Sequence, residues 1–247
     1  MGSRKLSHEP CSEEKTIGKP KPTKADAAYS LAKVGLSAIP VLGGTAAEIF
    51  SAVIAPPITK RTVKWIESIS ERLKELEKTV NGFKLESLAE NEVFTTVVLH
   101  ATQIAIRNHQ QEKIEALRNA VINTAIGINI SEDEKQIFLE YVDALTPSHL
   151  RLLEFLNNPT AYGQAHNVKY GNYTMASVST ILEEAFPEWK DKRGDYDLIA
   201  QDLYTRGLLG GQVNDIHVGV SATDQGMYAS RTTERGKRFL KFIRAQP

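Results

Sequence analysis

The chain is short of several features that would narrow its chemistry at once. It holds one cysteine, Cys11, in 247 residues. A single thiol excludes a disulfide framework and a paired-cysteine zinc site. Basic and acidic residues number 30 each, so the formal net charge is zero. Such a chain has no global attraction to nucleic acid or anionic lipid. There is no GxxxxGK[ST], no GxGxxG after a strand, no GxSxG and no HExxH, so phosphate-loop, dinucleotide, nucleophile-elbow and zincin chemistries have no signature. Residues 1–24 lack the apolar stretch of a secretory signal, and Leu6 stands where N-myristoylation needs Ser or Thr. The expected location is cytoplasmic, with peripheral contact at the inner membrane as the variant discussed below.

What is present is enough apolar side chain for a core. Hydrophobic residues are 41% of the chain against 24% charged, which excludes disorder throughout. The charge is uneven. Residues 1–24 carry six basic and three acidic side chains with Pro10, Pro20 and Pro22. They are expected to form a disordered tail. Residues 25–145 carry twelve basic and sixteen acidic side chains, and 146–247 twelve and eleven.

Residues 25–39 read as a helix of low charge, ended by Pro40 and a Gly43-Gly44 turn. Thr45 and Glu48 have capping-box spacing, ahead of Ile49, Phe50, Val53 and Ile54. Pro56-Pro57 is expected to close that short helix and start the next. The next carries Val63, Ile66, Ile69, Leu73, Leu76 and Val80 at helical spacing. That stripe spans only about three heptads, favouring packing within the chain over a dimer seam. Ser87 with Glu90, and Ser131 with Glu134, are two further capping boxes before apolar stripes. Such stripes must bury one another, so 25–145 is predicted to be a helical bundle.

Beyond Thr146 the elements shorten. Thr146-Pro147 starts a helix that Asn158-Pro159 ends. Thr174 is expected to cap a helix ending before Pro187, and Asp195 another that stops at Gly207. Partial alternation of Val213, Ile216, Val218 and Val220 predicts a short β-hairpin within 212–229. Thr233 begins the last helix. The fold class is therefore mainly α: an N-terminal bundle with an apolar helical hairpin at 34–58, then a small α+β domain at 146–247.

The order of three helices, hairpin and helix, with Leu203-Tyr204-Thr205-Arg206-Gly207-Leu208-Leu209 and Thr233-Glu234-Arg235-Gly236-Lys237-Arg238-Phe239-Leu240, resembles a winged-helix domain. The whole chain resembles the bacterial abortive-infection-alpha family. Three stretches carry that likeness: Ile39-Pro40-Val41-Leu42-Gly43-Gly44, the helical stretch 112–121, and Leu145-Thr146-Pro147-Ser148-His149-Leu150. The resemblance implies a role in bacterial stress or phage defence and assigns no residue a role.

Residues 34–58 have one ionisable side chain, Glu48. Proline and glycine divide the segment into pieces shorter than the roughly 20 residues of a spanning helix. It reads either as a buried hairpin of the bundle or as a membrane-engaging element using Leu36, Ile39, Val41, Leu42, Ile49, Phe50, Val53 and Ile54. Of the histidines, only His109 with Glu112 has helical ligand spacing, too few for a metal site. His149 beside Ser148 is no nucleophile–base pair by itself, since neighbours on a helix diverge. No catalytic residue, cofactor, metal or small-molecule substrate is expected.

Two function classes remain beside a plain interaction scaffold. One is a non-enzymatic effector or adaptor with a protein partner or self-association, and a membrane as an additional target. The alternative is a winged-helix DNA-binding regulator with the bundle as dimerisation or sensor domain, contacting DNA through Lys190, Lys192, Arg193, Arg235, Lys237 and Arg238. The stretch 195–206 disfavours DNA: Asp195, Asp197 and Asp202 face one Arg206, and phosphate contact needs cations.

Overall fold

The structure, a computed structural model, describes residues 45–246, with side chains from residue 57 onward. The expected tail, the helix at 25–39, the Gly43-Gly44 turn and Leu36, Ile39, Val41 and Leu42 lie outside the described residues. So do the side chains of Ile49, Phe50, Val53 and Ile54.

The described chain is mainly helical. Its first helix, α1 (Thr45–Thr79), runs unbroken through Pro56-Pro57. The predicted helix boundary at the proline pair is therefore wrong, and the second arm of the hairpin is the first part of one long helix. Proline has no N–H, so the carbonyls four residues before each receive no helical bond. The helix nevertheless continues, at about 1.5 Å per residue, for roughly 52 Å. Its buried face is Thr62, Trp65, Ile69 and Leu73, with Ile66 and Leu76 half-buried and Val80 exposed. The Trp65 indole Nε1–H donates to Thr102 Oγ1 at 2.9 Å, fixing α1 on α2 (Glu92–Arg107).

A 3-10 turn at Leu85–Leu88 occupies the place read as a capping box. Ser87 Oγ donates backward to the Lys84 carbonyl. The cap of α2 is Asn91, whose Oδ1 accepts from the Phe94 amide at 2.9 Å. Then come α3 (Gln111–Ala125) and α4 (Glu132–Ala144). Ser131 caps α4 as expected, accepting from the Glu134 amide. Helix α3 is the centre of the bundle, with Leu117, Ala120 and Val121 fully buried, in contact with α1, α2 and α4.

The second half holds α5 (Pro147–Asn157) and α6 (Pro159–His166), joined at Asn158. Its Oδ1 accepts from the Ala161 amide. Asn158-Pro159 thus ends one helix, as expected, and opens another that the sequence did not predict. Strand β1 (Met175–Ala176), α7 (Val178–Ala185) and α8 (Arg193–Thr205) follow. Ser177, not Thr174, caps α7. Lys192, not Asp195, precedes α8, and Asp195 lies in its first turn, beside the partial positive charge of the helix end. Gly207 ends this segment at φ +70, a conformation glycine adopts without steric cost.

No hairpin forms within 212–229. Val213–Ile216 is a 3-10 turn, held by the Asp215 carboxylate, which accepts from the Gln212 amide at 2.7 Å. The one strand there, β2 (Val220–Ser221), pairs antiparallel with β1, Met175 opposite Ser221. The loop is closed at its base by a bridge between Leu209 and Thr232.

Helix α9 (Glu234–Ile243) is capped by Thr233 and returns to the bundle, packing on α3, α4 and α5. Phe138 of α4 lies 5.4 Å from Phe239 and 5.9 Å from Phe242 between ring centroids. Asn123 of α3 is fully buried. Its Nδ2 donates to the carbonyls of Phe242 (2.7 Å), Arg244 (2.8 Å) and, at 3.2 Å, Lys241. Asn119 donates to the Ile243 carbonyl at 3.0 Å. A helix end leaves carbonyls without intrahelical donors; here two asparagines of a neighbouring helix supply them. One hydrophobic core runs from Trp65 to Ile243.

Candidate functional site: the outer face of α8

Helix α8 with its C-cap covers 195–206, the stretch whose charge the sequence set against DNA binding. Tyr196, Ala200 and Leu203 turn inward and are buried. The Tyr196 hydroxyl donates to Glu183 of α7 at 2.9 Å. Asp195, Leu198, Gln201 and Thr205 face solvent. Leu198 is 73% exposed, so an aliphatic side chain stands where a DNA-reading helix places hydrogen-bonding groups.

Two of the three carboxylates of α8 are each held by an arginine four residues away and by a histidine distant in sequence. Asp197 receives Arg193 at 3.2 Å and the His217 Nε2 at 2.7 Å. Asp202 receives Arg206 at 3.0 Å and the His149 Nε2 at 3.4 Å. Both imidazoles are sheltered, with side chains 13% and 14% exposed. His149 Nδ1 lies 2.7 Å from the Thr146 hydroxyl and 3.3 Å from its amide, which leaves the proton of the neutral ring on Nε2, toward Asp202. Burial holds His149 below the ordinary imidazole value; Asp202 pulls the other way and Arg206 reinforces burial.

Thr146, His149 and Asp202 thus align as hydroxyl, imidazole and carboxylate. The position explains the alignment without catalysis. Thr146 is the N-cap residue of α5, and His149 occupies the place of the returning side chain in a capping box. Two grooves of this half lie around α6. The sequence reading looked at Ser148 beside His149 and missed Thr146, because a capping box ordinarily ends in Glu or Gln. The spacing of three residues behind Thr146-Pro147 was the available signal.

The six cations proposed for DNA do not form a free basic surface. Arg238 grips Glu134 of α4 through Nε and Nη2, the shortest contact 2.6 Å. Lys237 pairs with Glu234 at 2.7 Å, and Arg193 with Asp197. The Arg235 guanidinium lies over the Tyr141 ring, 5.8 Å from its centroid. Lys190 and Lys192, flanking Asp191 at φ +60, are exposed; among the described residues neither forms an ion pair. His109 is exposed, and His100 Nδ1 meets Gln136 Oε1 at 2.9 Å.

Among the described residues no group of three or more His, Cys, Asp or Glu is arranged to hold a metal ion. No helix among them is long and apolar enough to cross a membrane. Compared with family models, curated proteins and solved structures, the chain matches none.

Proposed function

We propose that this chain is a non-enzymatic bacterial adaptor whose C-terminal part, winged-helix-like in its order of elements, docks a protein through the outer face of α8 rather than reading DNA. Helices α5, α6, α7 and α8, a loop closed at Leu209 and Thr232, and α9 follow in that order; α6 is additional to the winged-helix pattern, and the loop stands in the place of its hairpin. The resemblance to the abortive-infection-alpha family adds a setting, bacterial stress or phage defence.

One observation carries the reading. Four of the six candidate cations already face an intramolecular carboxylate or ring, while the helix that would enter the groove presents Asp195 and Leu198. Releasing a paired cation to a phosphate breaks one charge contact to make another, and the gain from counterion release shrinks with the number of cations available. An exposed leucine offers a base edge no hydrogen bond.

The test is an electrophoretic shift with mixed-sequence duplex DNA at low salt. The proposal expects no discrete complex. A tight, salt-sensitive complex, abolished by Lys190→Glu with Lys192→Glu or by Arg235→Glu with Lys237→Glu, would move the protein into the regulator class.

A further inference from the structure

On the side of the C-terminal half built by α6, a polar groove opens between that helix and the loop at 222–230. It consists of two adjoining hollows of about 430 and 680 Å3. Both are lined by Thr160, Gln164, Asp224 and Tyr228. Sites of this size hold small organic ligands.

The walls are fixed by contacts outside the groove's own polar groups. On the α6 side the hydroxyl end of the Tyr170 ring packs against Gly163; a Cβ there would fall 2.7 Å from the ring. The Tyr170 hydroxyl donates to the Pro159 carbonyl at 2.8 Å. On the loop side the Arg231 guanidinium donates to the carbonyls of Ala229 (2.7 Å), Gly226 (3.1 Å) and Met227 (3.4 Å). The Arg231 amide donates to the Leu156 carbonyl at 2.8 Å, anchoring the loop to the end of α5. Gly226 abuts the Ser221 carbonyl so closely that no Cβ fits. The rings of Tyr170 and Tyr228 pack on each other, centroids 5.9 Å apart, and form one aromatic wall.

Four of the groups that line this space have no partners within the chain; Thr160, Gln164 and Asp224 are exposed and Tyr228 is half-buried. Among the described residues, the Thr160 hydroxyl, the Gln164 amide, the Asp224 carboxylate and the Tyr228 hydroxyl make no hydrogen bond or ion pair. The fold does not use them, yet it holds them around one opening.

Their chemistry defines a ligand. The lining contains one carboxylate and no Lys, Arg or His, so phosphates and carboxylates are repelled. The smaller hollow is mainly polar, and burying a flat apolar molecule there would strand amides and hydroxyls without partners. A carboxylate accepts from two hydroxyls at once, a primary amide both donates and accepts, and a phenol does either. Tyrosine faces give an apolar surface beside those polar tips. We propose that this groove binds a neutral polyhydroxylated ligand of sugar size, oriented by Asp224 and Gln164 and covered by Tyr228. The inference is independent of how α8 is used.

The experiment is a calorimetric and NMR titration of the full chain with glucose, galactose, mannose and ribose, beside glucose 6-phosphate and putrescine. At least one neutral sugar is expected to bind saturably, one per chain, and to shift the ring signals of Tyr170 and Tyr228. Its phosphorylated counterpart should bind at least about tenfold more weakly. Asp224→Asn and Gln164→Ala should each weaken binding about tenfold. Thr160→Val, on α6 beside Gln164, is a third variant, and the melting temperature of each reports that it folds. Absence of saturable binding by every neutral sugar overturns the assignment. So does binding unaffected by these substitutions, or binding of putrescine alone.

Discussion

Replacing Asn123 with alanine tests whether the last helix is a structural part of the bundle. The side chain is fully buried on α3, and its Nδ2 serves the last carbonyls of α9, at 2.7 and 2.8 Å for the two shorter contacts. Alanine removes both and leaves the buried Phe242 carbonyl without a donor, while the part-buried Arg244 carbonyl keeps a longer contact from Gln246 Nε2 at 3.4 Å. A net intramolecular hydrogen bond contributes about 1 kcal/mol, and a buried group left unsatisfied costs about 1–3 kcal/mol. One offset acts the other way: Asn123 Oδ1 is itself buried without a partner, and the substitution removes that orphan. The sum is a loss of about 3 kcal/mol. For a chain of this size that lowers the melting temperature by about 6–12 °C. Asn119→Ala is the internal comparison, since Asn119 is half-buried and makes one such bond, 3.0 Å to Ile243; its expected loss is about 1 kcal/mol. Urea denaturation of the full chain, followed by circular dichroism, gives both values. A loss for Asn123→Ala no larger than that for Asn119→Ala would refute the reasoning.

Two glycines should respond in opposite directions. Gly236 sits against the Leu208 carbonyl with no room for a Cβ, so Gly236→Ala should cost about 1–3 kcal/mol. Gly194, in the first turn of α8 with open space around it, should gain about 0.4–1 kcal/mol as alanine; thermal melts of the two variants decide. His149 supplies a pH signature. Its folded-state pKa lies below the ordinary value of 6.5, so protonation favours the unfolded chain, and stability present above pH 6.5 should fall as the pH drops below it. In His149→Gln that slope should be shallower. An equal slope in wild type and variant, measured by urea midpoints from pH 7.5 to 5, would show that His149 is not the source.

Much of the helical framework was legible because buried stripes repeat every three or four residues. The caps at Ser131 and Thr233 were legible because their hydroxyls stand just before such stripes. The errors have identifiable causes. Pro56-Pro57 looked like a boundary because proline weakens an isolated helix, but local preference does not decide where a helix ends within a long element. Ser87 matched a capping box, yet Asn91, four residues nearer the stripe, holds the cap. Helix α6 has few apolar residues and an internal Gly163, so it lacked a stripe; its burial depends on Tyr162, next to Phe155 and Phe186. The alternating valines at 213–220 read as a hairpin, but β2 finds its partner in β1, more than forty residues earlier.

The candidate site was less legible, since its electrostatics are nonlocal. The acidic character of α8 could be read from Asp195, Asp197 and Asp202. Their partners could not: His217 and His149 reach α8 from the loop and from α5. Nor could the pairing of Arg238 with Glu134 across the two halves, which withdraws a cation from the basic surface that the sequence offered. Asn119 and Asn123, four apart on an otherwise apolar face, were a signal of buried polar contact that a search for apolar spacing passes over.

The most direct test of the docking role of α8 is photo-crosslinking inside expressing bacteria, with a photoreactive amino acid replacing Gln201. That position is exposed on the same face as Leu198 and leaves Leu198 intact. Mass spectrometry then identifies the class of adduct. The account predicts a protein adduct that disappears when Leu198→Asp is added, while the melting temperature of that double variant stays unchanged. A nucleic-acid adduct, no adduct, or a protein adduct indifferent to Leu198→Asp would contradict it.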